Sequence, residues 1–504
     1  MIAADHPSRT QSRPVSWVAA LDSAGFGLLL LCMALSPLPL GSNRPWAESL
    51  LAMGVWLSLL LLMGSHALGG RPWPAALHRA RWMLALLGGY CALVGLQWLV
   101  GSPQSWLPGT VSEWHTQRYL LRCLCYGAAV LAIVLGVRSR RRCRWVMGTL
   151  LTAGVAQACL GILFTRSDAA YVLLFESFGP GGRASGTFAN ANHFAGFLSL
   201  AIAAGIGLLI AQYDGGRGRV RGWRMRLAVL LNFALSLKMV LRLAIVLLVI
   251  GLVLSHSRMG NVAFVLALVV SAMTLAYRSE KLRKPALVLL GTMLAIDVLI
   301  VGHWIGLERV AERLQGTALT VDGGRASSEA AASLPHGALG REIPPPREES
   351  VEQRLQVPLL ATQAIWDKPL FGHGGGTFQL SFAPFKPDWV YAGHWNYAHN
   401  DFVEVAVDTG LIGLALWLGV GLLGLRRALG LIQDDQPRLN RGVGVAAVFA
   451  TIATGAQSMM DFGLQIPANA FNFAVLLTLS WVVKGLPLES RGGSSRTDPA
   501  ARVR

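Results

Sequence analysis

Apolar runs of roughly 17 to 25 residues, each long enough to cross about 30 Å of hydrocarbon as a helix, recur along almost the whole chain. No other feature limits the fold so strongly. Backbone amides find no water inside lipid, so such runs must close their hydrogen bonds within helices; a membrane barrel would show shorter segments of alternating polarity. Spans are expected over 23–40, 47–66, 82–101, 119–137, 145–164, 191–212, 227–255, 259–277, 285–303, 401–425, 442–460 and 468–484. Composition agrees, with 53% hydrophobic and 14% charged residues and a mean hydropathy of +0.48. The expected fold is all-α, a polytopic integral membrane protein of about twelve helices.

The net charge of +17 then needs a source. Lysine and arginine gather in every second connection. The first groups are Arg71, Arg79 and Arg81; Arg138, Arg140, Arg141, Arg142 and Arg144; and Arg217, Arg219, Arg221, Arg224 and Arg226. Arg278, Lys281, Arg283 and Lys284 follow, then Arg426, Arg427, Arg438 and Arg441, and last Lys484, Arg491 and Arg496. This alternation follows the positive-inside rule and predicts both termini in the cytoplasm with an even span count. A nucleic-acid surface is the rival source of such charge, but interleaving with apolar spans argues against it, and membrane lipid is the expected surrounding.

Lys238 and Arg242 interrupt the seventh span, which is one long tilted helix or two short elements. A single span keeps every later loop in step with the charge bias. No cleaved signal peptide is expected, because the first apolar run leads into "PLPLGSNRPW" without a small-residue cleavage site. The six cysteines fall in or beside early spans and read as apolar packing residues without disulfides.

One connection is long. Residues 304–400 form an outer loop between spans nine and ten; 304–350 is rich in Gly, Ala, Ser and Pro and expected to be largely disordered. The second part, 351–400, is helical and motif-bearing, with Leu355, Leu359, Ala361 and Ile365 as the apolar face, a Lys-Pro stop and a glycine-rich turn at Gly372 to Gly376. The chain thus divides into a bundle of about nine spans over 1–303, the loop, about three spans over 401–485 and a cytoplasmic tail over 486–504.

Polar groups held at the edge of a span are costly and are functional candidates. Four such stretches are "RASGTFANANHFAGFL" at 183–198, "SHSRMGN" at 255–261, "RLQVPLLATQAIWDKPLFGHGGGTF" at 354–378 and "AHNDFVEVAVDTGLIGL" at 398–414. On these the chain resembles, over most of its length, the O-antigen ligase and polymerase superfamily of bacterial envelope glycosyltransferases. The last stretch is the most specific, combining His-Asn, a carboxylate and a Thr-Gly step at a helix entrance after a long outer loop. The resemblance implies a GT-C-like inverting transferase of the bacterial inner membrane with its site on the periplasmic face. It implies a glycan donor carried on polyprenyl (undecaprenyl) diphosphate, with no nucleotide sugar, metal or other cofactor. The acceptor is a lipid A core, as for a ligase, or a glycan or carrier-linked repeat, as for a polymerase.

Breaking an anomeric bond while a lipid diphosphate departs asks for fixed cations at the leaving group and a base at the acceptor hydroxyl. Arg183 and Arg258 lie on the same membrane face by topology, and guanidinium matches phosphate oxygens; the bland alternative is that each snorkels to headgroups. Arg118 and Arg122 open the fourth span on that side as auxiliary candidates. His399 is the candidate base, or else a histidine that hydrogen-bonds backbone, with Asn400 or Asp401 as helix cap. Asp401, Glu404 and Asp408 share one helix face, which should line a polar cavity or meet arginines, and Asp401 or Glu404 is placed to orient His399. Asn190 and Asn192 are caps or substrate contacts, with His193 beside them, and Gly182 and Gly186 allow backbone to approach a phosphate. Arg354 on the loop helix contacts glycan or anchors that helix.

Two rival readings are weaker. His373, His394 and His399 with Asp401 match no familiar zinc spacing, so no metal is expected. A multi-span solute transporter should show repeat symmetry or ionisable groups at midplane, and only Lys238 and Arg242 speak for it.

Overall fold

The computed structural model describes residues 16–102, 107–165, 171–172, 175–176, 182–213, 236–305, 351–386 and 396–488, and for 171–172, 175–176, 285, 289, 296–305 and 351–355 the backbone alone. Among the described residues the regular structure is helical apart from a two-residue antiparallel pairing of Tyr171–Val172 with Phe175–Glu176. Its long helices are α1 (Ser16–Leu35), α2 (Pro45–Leu68), α3 (Arg81–Val100), α4 (Glu113–Gly136), α5 (Arg140–Phe164), α6 (Ala191–Ala211) and α7 (Leu237–Leu254). They continue with α8 (Arg258–Arg278), α9 (Glu280–Ile305), α10 (Val351–Asp367), α11 (Asp401–Leu429), α12 (Arg438–Gln457) and α13 (Pro467–Val482).

Ten of these are long and apolar enough to cross a membrane. The other two expected spans exist as helices α9 and α13 without being among the ten, and α13 has only 16 residues. The first helix ends at Leu35, ahead of the expected 40, because Pro37 and Pro39 cannot continue it. The fourth begins at Glu113, earlier than 119, so Arg118 and Arg122 stand inside its first three turns. The seventh is described only from Leu237, which puts Lys238 and Arg242 in its first turns; the expected 227–235 portion lies outside the described residues. Residues 306–350 of the expected disordered stretch, the tail from 489 and His394 also lie outside them.

The centre of the bundle is α6, of whose apolar window 83% is buried, against 28% for peripheral α3. Small residues let α6 and α12 approach closely, as membrane helices require when packing must replace the hydrophobic drive. A Cβ on Gly442 would stand 2.2 Å from the Gly207 carbonyl oxygen, so the two backbones touch. At the basic end, Asp22 of α1 pairs with Arg138 at 3.0 Å and with Arg142 at 2.7 Å, neutralising a buried carboxylate.

The motif-bearing end is fastened differently. Helix α10 buries Val357, Ala361 and Ala364 against Phe378, Phe382, Ala398 and Val407. The packed face therefore runs i, i+4, i+7 from Val357, while the expected Leu359 is 69% exposed. Helix α11 is broken at Gly410, whose φ of 67° and ψ of −175° open room for the turn after α10. Leu411 N donates to Pro369 O at 2.8 Å, His373 N to Val407 O at 3.0 Å and Gly374 N to Asp408 O at 2.9 Å. Gln97 of α3 donates to Phe371 O and Asp408 O and accepts from Gly375 N, so glycine turn, broken helix and α3 form one unit.

Candidate functional site

Asn190 is the N-cap of α6, its side chain accepting from Asn192 N at 2.8 Å. Asn192 Oδ1 in turn accepts from Arg183 Nη2 at 3.2 Å. Arg183 Nε donates to Ser255 O at 3.1 Å, and Ala184 N to Leu254 O at 2.8 Å. The 183–184 segment is thereby strapped across the end of α7. Arg258, three residues past Ser255, is the exposed first residue of α8, whose cap Ser257 accepts from Gly260 N. Gly186 is held by packing, since a Cβ there would meet Gln157 Oε1 at 2.4 Å, whereas Gly182 faces open space.

The second strand of the site is the start of α11. Asn400 caps it, accepting from Phe402 N at 3.0 Å and Val403 N at 3.1 Å, and donates to Met459 O at 3.0 Å. His399, immediately before the cap, has a φ of 52°, a region that residues with a side chain seldom occupy and that recurs at functional positions. Its buried ring is set by the 458–465 turn: Nδ1 stands 4.0 Å from Asp461 Oδ1. The same oxygen lies 3.6 Å from His193 Nε2. Phe462 presents its ring to both imidazoles at near-perpendicular angles, with centroids 4.6 and 4.9 Å away, and stacks on Tyr397 at 4.1 Å.

Asp461 thus joins two histidines 206 positions apart. Burial works against its charge, but His193 and His399 together with the Phe462 amide more than compensate and hold the carboxyl below its usual range. Sequence reasoning did not single Asp461 out. The available signal was the one used for His399: "MMDFGLQ" also places a carboxylate between two apolar helices.

The α11 carboxylates separate into different tasks. Asp401 Oδ2 accepts from Ser458 Oγ at 2.6 Å and Leu464 N at 3.1 Å, riveting α11 to the 458–464 turn that carries Asp461. Asp408 accepts from Gly376 N at 2.8 Å and Thr377 N at 3.2 Å, fixing the glycine turn. Glu404 accepts from Ala398 N at 2.9 Å, one residue before His399, and lines a cavity of about 360 Å³. Among the described residues none of the three is hydrogen-bonded to an arginine. A carboxylate at this site that does meet arginines is Glu48 of α2, which accepts from Arg118 Nη2 at 2.8 Å and from Arg122.

That cavity is lined by Arg44, Arg118, Arg122, Tyr397, Glu404 and Gln465 among others; neither Arg183 nor Arg258 is in its lining. Tyr397 belongs both to the cavity and to the stack on Phe462, so the cavity adjoins the histidine cluster. Arg183, Asn192, His193, Asp461 and His399 form one connected group, with Arg258 a turn away from it along the chain. Arg354 lies on α10, but its side chain is outside the described residues. Chemically the group offers an imidazole facing a buried carboxylate beside a guanidinium fixed by two oxygen acceptors, a layout suited to moving a proton next to an anion.

Comparison with known families falls on this end of the molecule. Residues 243–418 match the family described as O-antigen ligase, about a third of the chain. The matched stretch contains Arg258, Arg354 and His399 through Glu404; Arg183, His193 and Asp461 lie outside it. No curated protein matches the chain. Over that stretch the chain is similar to the O-antigen ligase family.

Proposed function

We propose that this chain is a member of the O-antigen ligase superfamily and an inverting, metal-independent glycan transferase of the bacterial inner membrane. It moves a glycan from a polyprenyl diphosphate carrier to a lipid or glycan acceptor at the periplasmic face. Arg183 and Arg258 hold the diphosphate, and His399 receives the acceptor proton. The observation that carries this reading is the carboxylate of Asp461 between His193 and His399, one residue from the Asn192 that binds Arg183.

The step proceeds as follows. The acceptor hydroxyl attacks the anomeric carbon and gives its proton to His399; the new carbon–oxygen bond forms as the bond to the diphosphate breaks, and the electron pair leaves on the diphosphate oxygen. Attack opposite the leaving group inverts the anomeric centre. Asp461 faces Nδ1 and stabilises the imidazolium as it forms. Arg183, fixed by Ser255 and Asn192, and Arg258 at the head of α8 offset the charge developing on the diphosphate. A positioned base contributes typically 10²- to 10⁴-fold, and one lost electrostatic donor costs about 10²- to 10³-fold.

The test incubates purified protein with a polyprenyl diphosphate oligosaccharide and candidate acceptors, and resolves products by length. A ladder means polymerisation and a single step means ligation. Absence of any product with every acceptor would refute the transferase reading, and uptake of a labelled solute into reconstituted vesicles would then replace it.

A further inference from the structure

Two carboxamides flank the turn that carries Asp461. Gln457 is the last residue of α12, Asn469 stands in the first turn of α13, and both are buried. Gln457 Nε2 donates to Asn192 O at 2.7 Å and Asn469 Nδ2 to His193 O at 3.1 Å. The receiving carbonyls belong to consecutive residues in the first turn of α6, the same residues whose side chains meet Arg183 and Asp461. We propose that Gln457 and Asn469 are positioning residues for the transfer, a two-point clip that sets Asp461 against His193 and Asn192 against Arg183. That the clip serves transfer rests on the transferase reading; that it fixes the turn to α6 does not.

Helix formation does not ask for these bonds. A backbone carbonyl has two lone pairs and its helix uses one, so the carbonyls of 192 and 193 need no further donor. A buried carboxamide is costly unless it is paired, and among the described residues Asn469 Oδ1 meets no donor. What Asn469 contributes here is therefore what it donates. Gly196, one turn further along α6, makes room for the pair: a Cβ there would stand 2.8 Å from Gln457 Oε1 and 3.3 Å from Asn469 Nδ2. On its other side the turn is held to α11 by Asp401, which accepts from Ser458 and Leu464. The 458–466 segment is thus tied both to the helix that follows His399 and to the helix that bears His193. Those two sets of ties hold Asp461 between the imidazoles.

The experiment uses the purified full-length protein, with initial-rate transfer and amide exchange over 458–466 as readouts. N469L and Q457M remove the donors at nearly constant size. N469L acts through His193 and Asp461, so kcat should fall about tenfold while the KM for the carrier-linked donor stays unchanged. Q457M also acts through Asn192 on Arg183, so it should lower kcat and raise that KM, each at least about threefold. General loosening of the bundle would instead move both parameters in both variants. In a D461N background N469L should cost less than about twofold more, because the group it positions is gone. G196A pushes the amides aside without deleting either and should lower kcat at least about threefold.

Amide exchange over 458–466 should quicken at least about tenfold in N469L and Q457M. Unchanged exchange in both variants would overturn the inference whatever the activity. So would a wild-type kcat in both, a donor KM that rises as much in N469L as in Q457M, or an undiminished N469L effect in the D461N background. Faster exchange as expected with no glycan transfer by the wild-type protein would sink the transferase reading alone.

Discussion

Replacing Asp461 with asparagine keeps the shape of the side chain and removes its charge. His399 Nδ1 is 4.0 Å from Asp461 Oδ1; a full charge pair at that separation is worth about 4 kcal/mol at an effective dielectric near 20. Only part of the positive charge has formed on the imidazole in the transition state, and the amide dipole recovers some of the loss. About 2 kcal/mol is therefore the expected cost, roughly 30-fold in kcat, with about 10³-fold as the ceiling. The KM for the carrier-linked donor should change little, because Asp461 faces the imidazoles and not the guanidinium of Arg183. A second readout separates this role from scaffolding. D461E, which restores the charge, should recover most of the rate that D461N loses. Folding does not confound the comparison: a carboxyl held below its usual range stabilises the fold at all pH values above about 3.9, and that stability is lost only as pH falls through its folded value. The assay is initial-rate transfer with thermal unfolding measured in parallel. A D461N rate within threefold of wild type, or a D461E rate no better than that of D461N, would refute the reasoning.

Three other perturbations follow from the same geometry. H399A and R183Q should each lower transfer at least about 10²-fold while leaving membrane insertion and melting temperature near wild type, as checked by product gels and a detergent thermal melt. G442L should destabilise the bundle by about 3 kcal/mol or more, since even its Cβ would stand 2.2 Å from the Gly207 oxygen; a melting temperature equal to wild type would contradict the α6–α12 contact. Burial pushes the His373 imidazole below its usual range, although its Nε2 bond to Ala364 O opposes this. The neutral ring therefore favours the docked turn, stability falls as pH drops below about 6.5, and amide exchange over 371–377 should accelerate there more than in H373Q.

Much of the framework was legible because hydrocarbon imposes one rule on every span. Helix ends that departed from expectation did so where a local signal outweighed hydropathy: Pro37 and Pro39 stopped α1 early, and Ser139 accepts from Arg142 N to start α5 at Arg140. Helical spacing placed Asp401, Glu404 and Asp408 on one side of α11, but spacing does not tell a carboxylate that binds substrate from one that binds backbone. Two of the three serve a turn, Asp401 through Ser458 and Leu464, Asp408 through Gly376 and Thr377. Those partners lie 31 to 63 positions away and became neighbours only through the break at Gly410 and the return of the chain after α12.

Asp461 escaped sequence reasoning for a related reason. Taken alone it is a single acid between two apolar helices; its meaning depends on His193 and His399, which the bundle delivers from 268 and 62 positions away. His193 has its ring against Phe462 and its carbonyl bound by Asn469, whereas His399 immediately precedes the cap of α11, next to Tyr397 and the cavity that Tyr397 lines. In the proposed transfer that difference gives the role of base to His399 and a positioning role to His193.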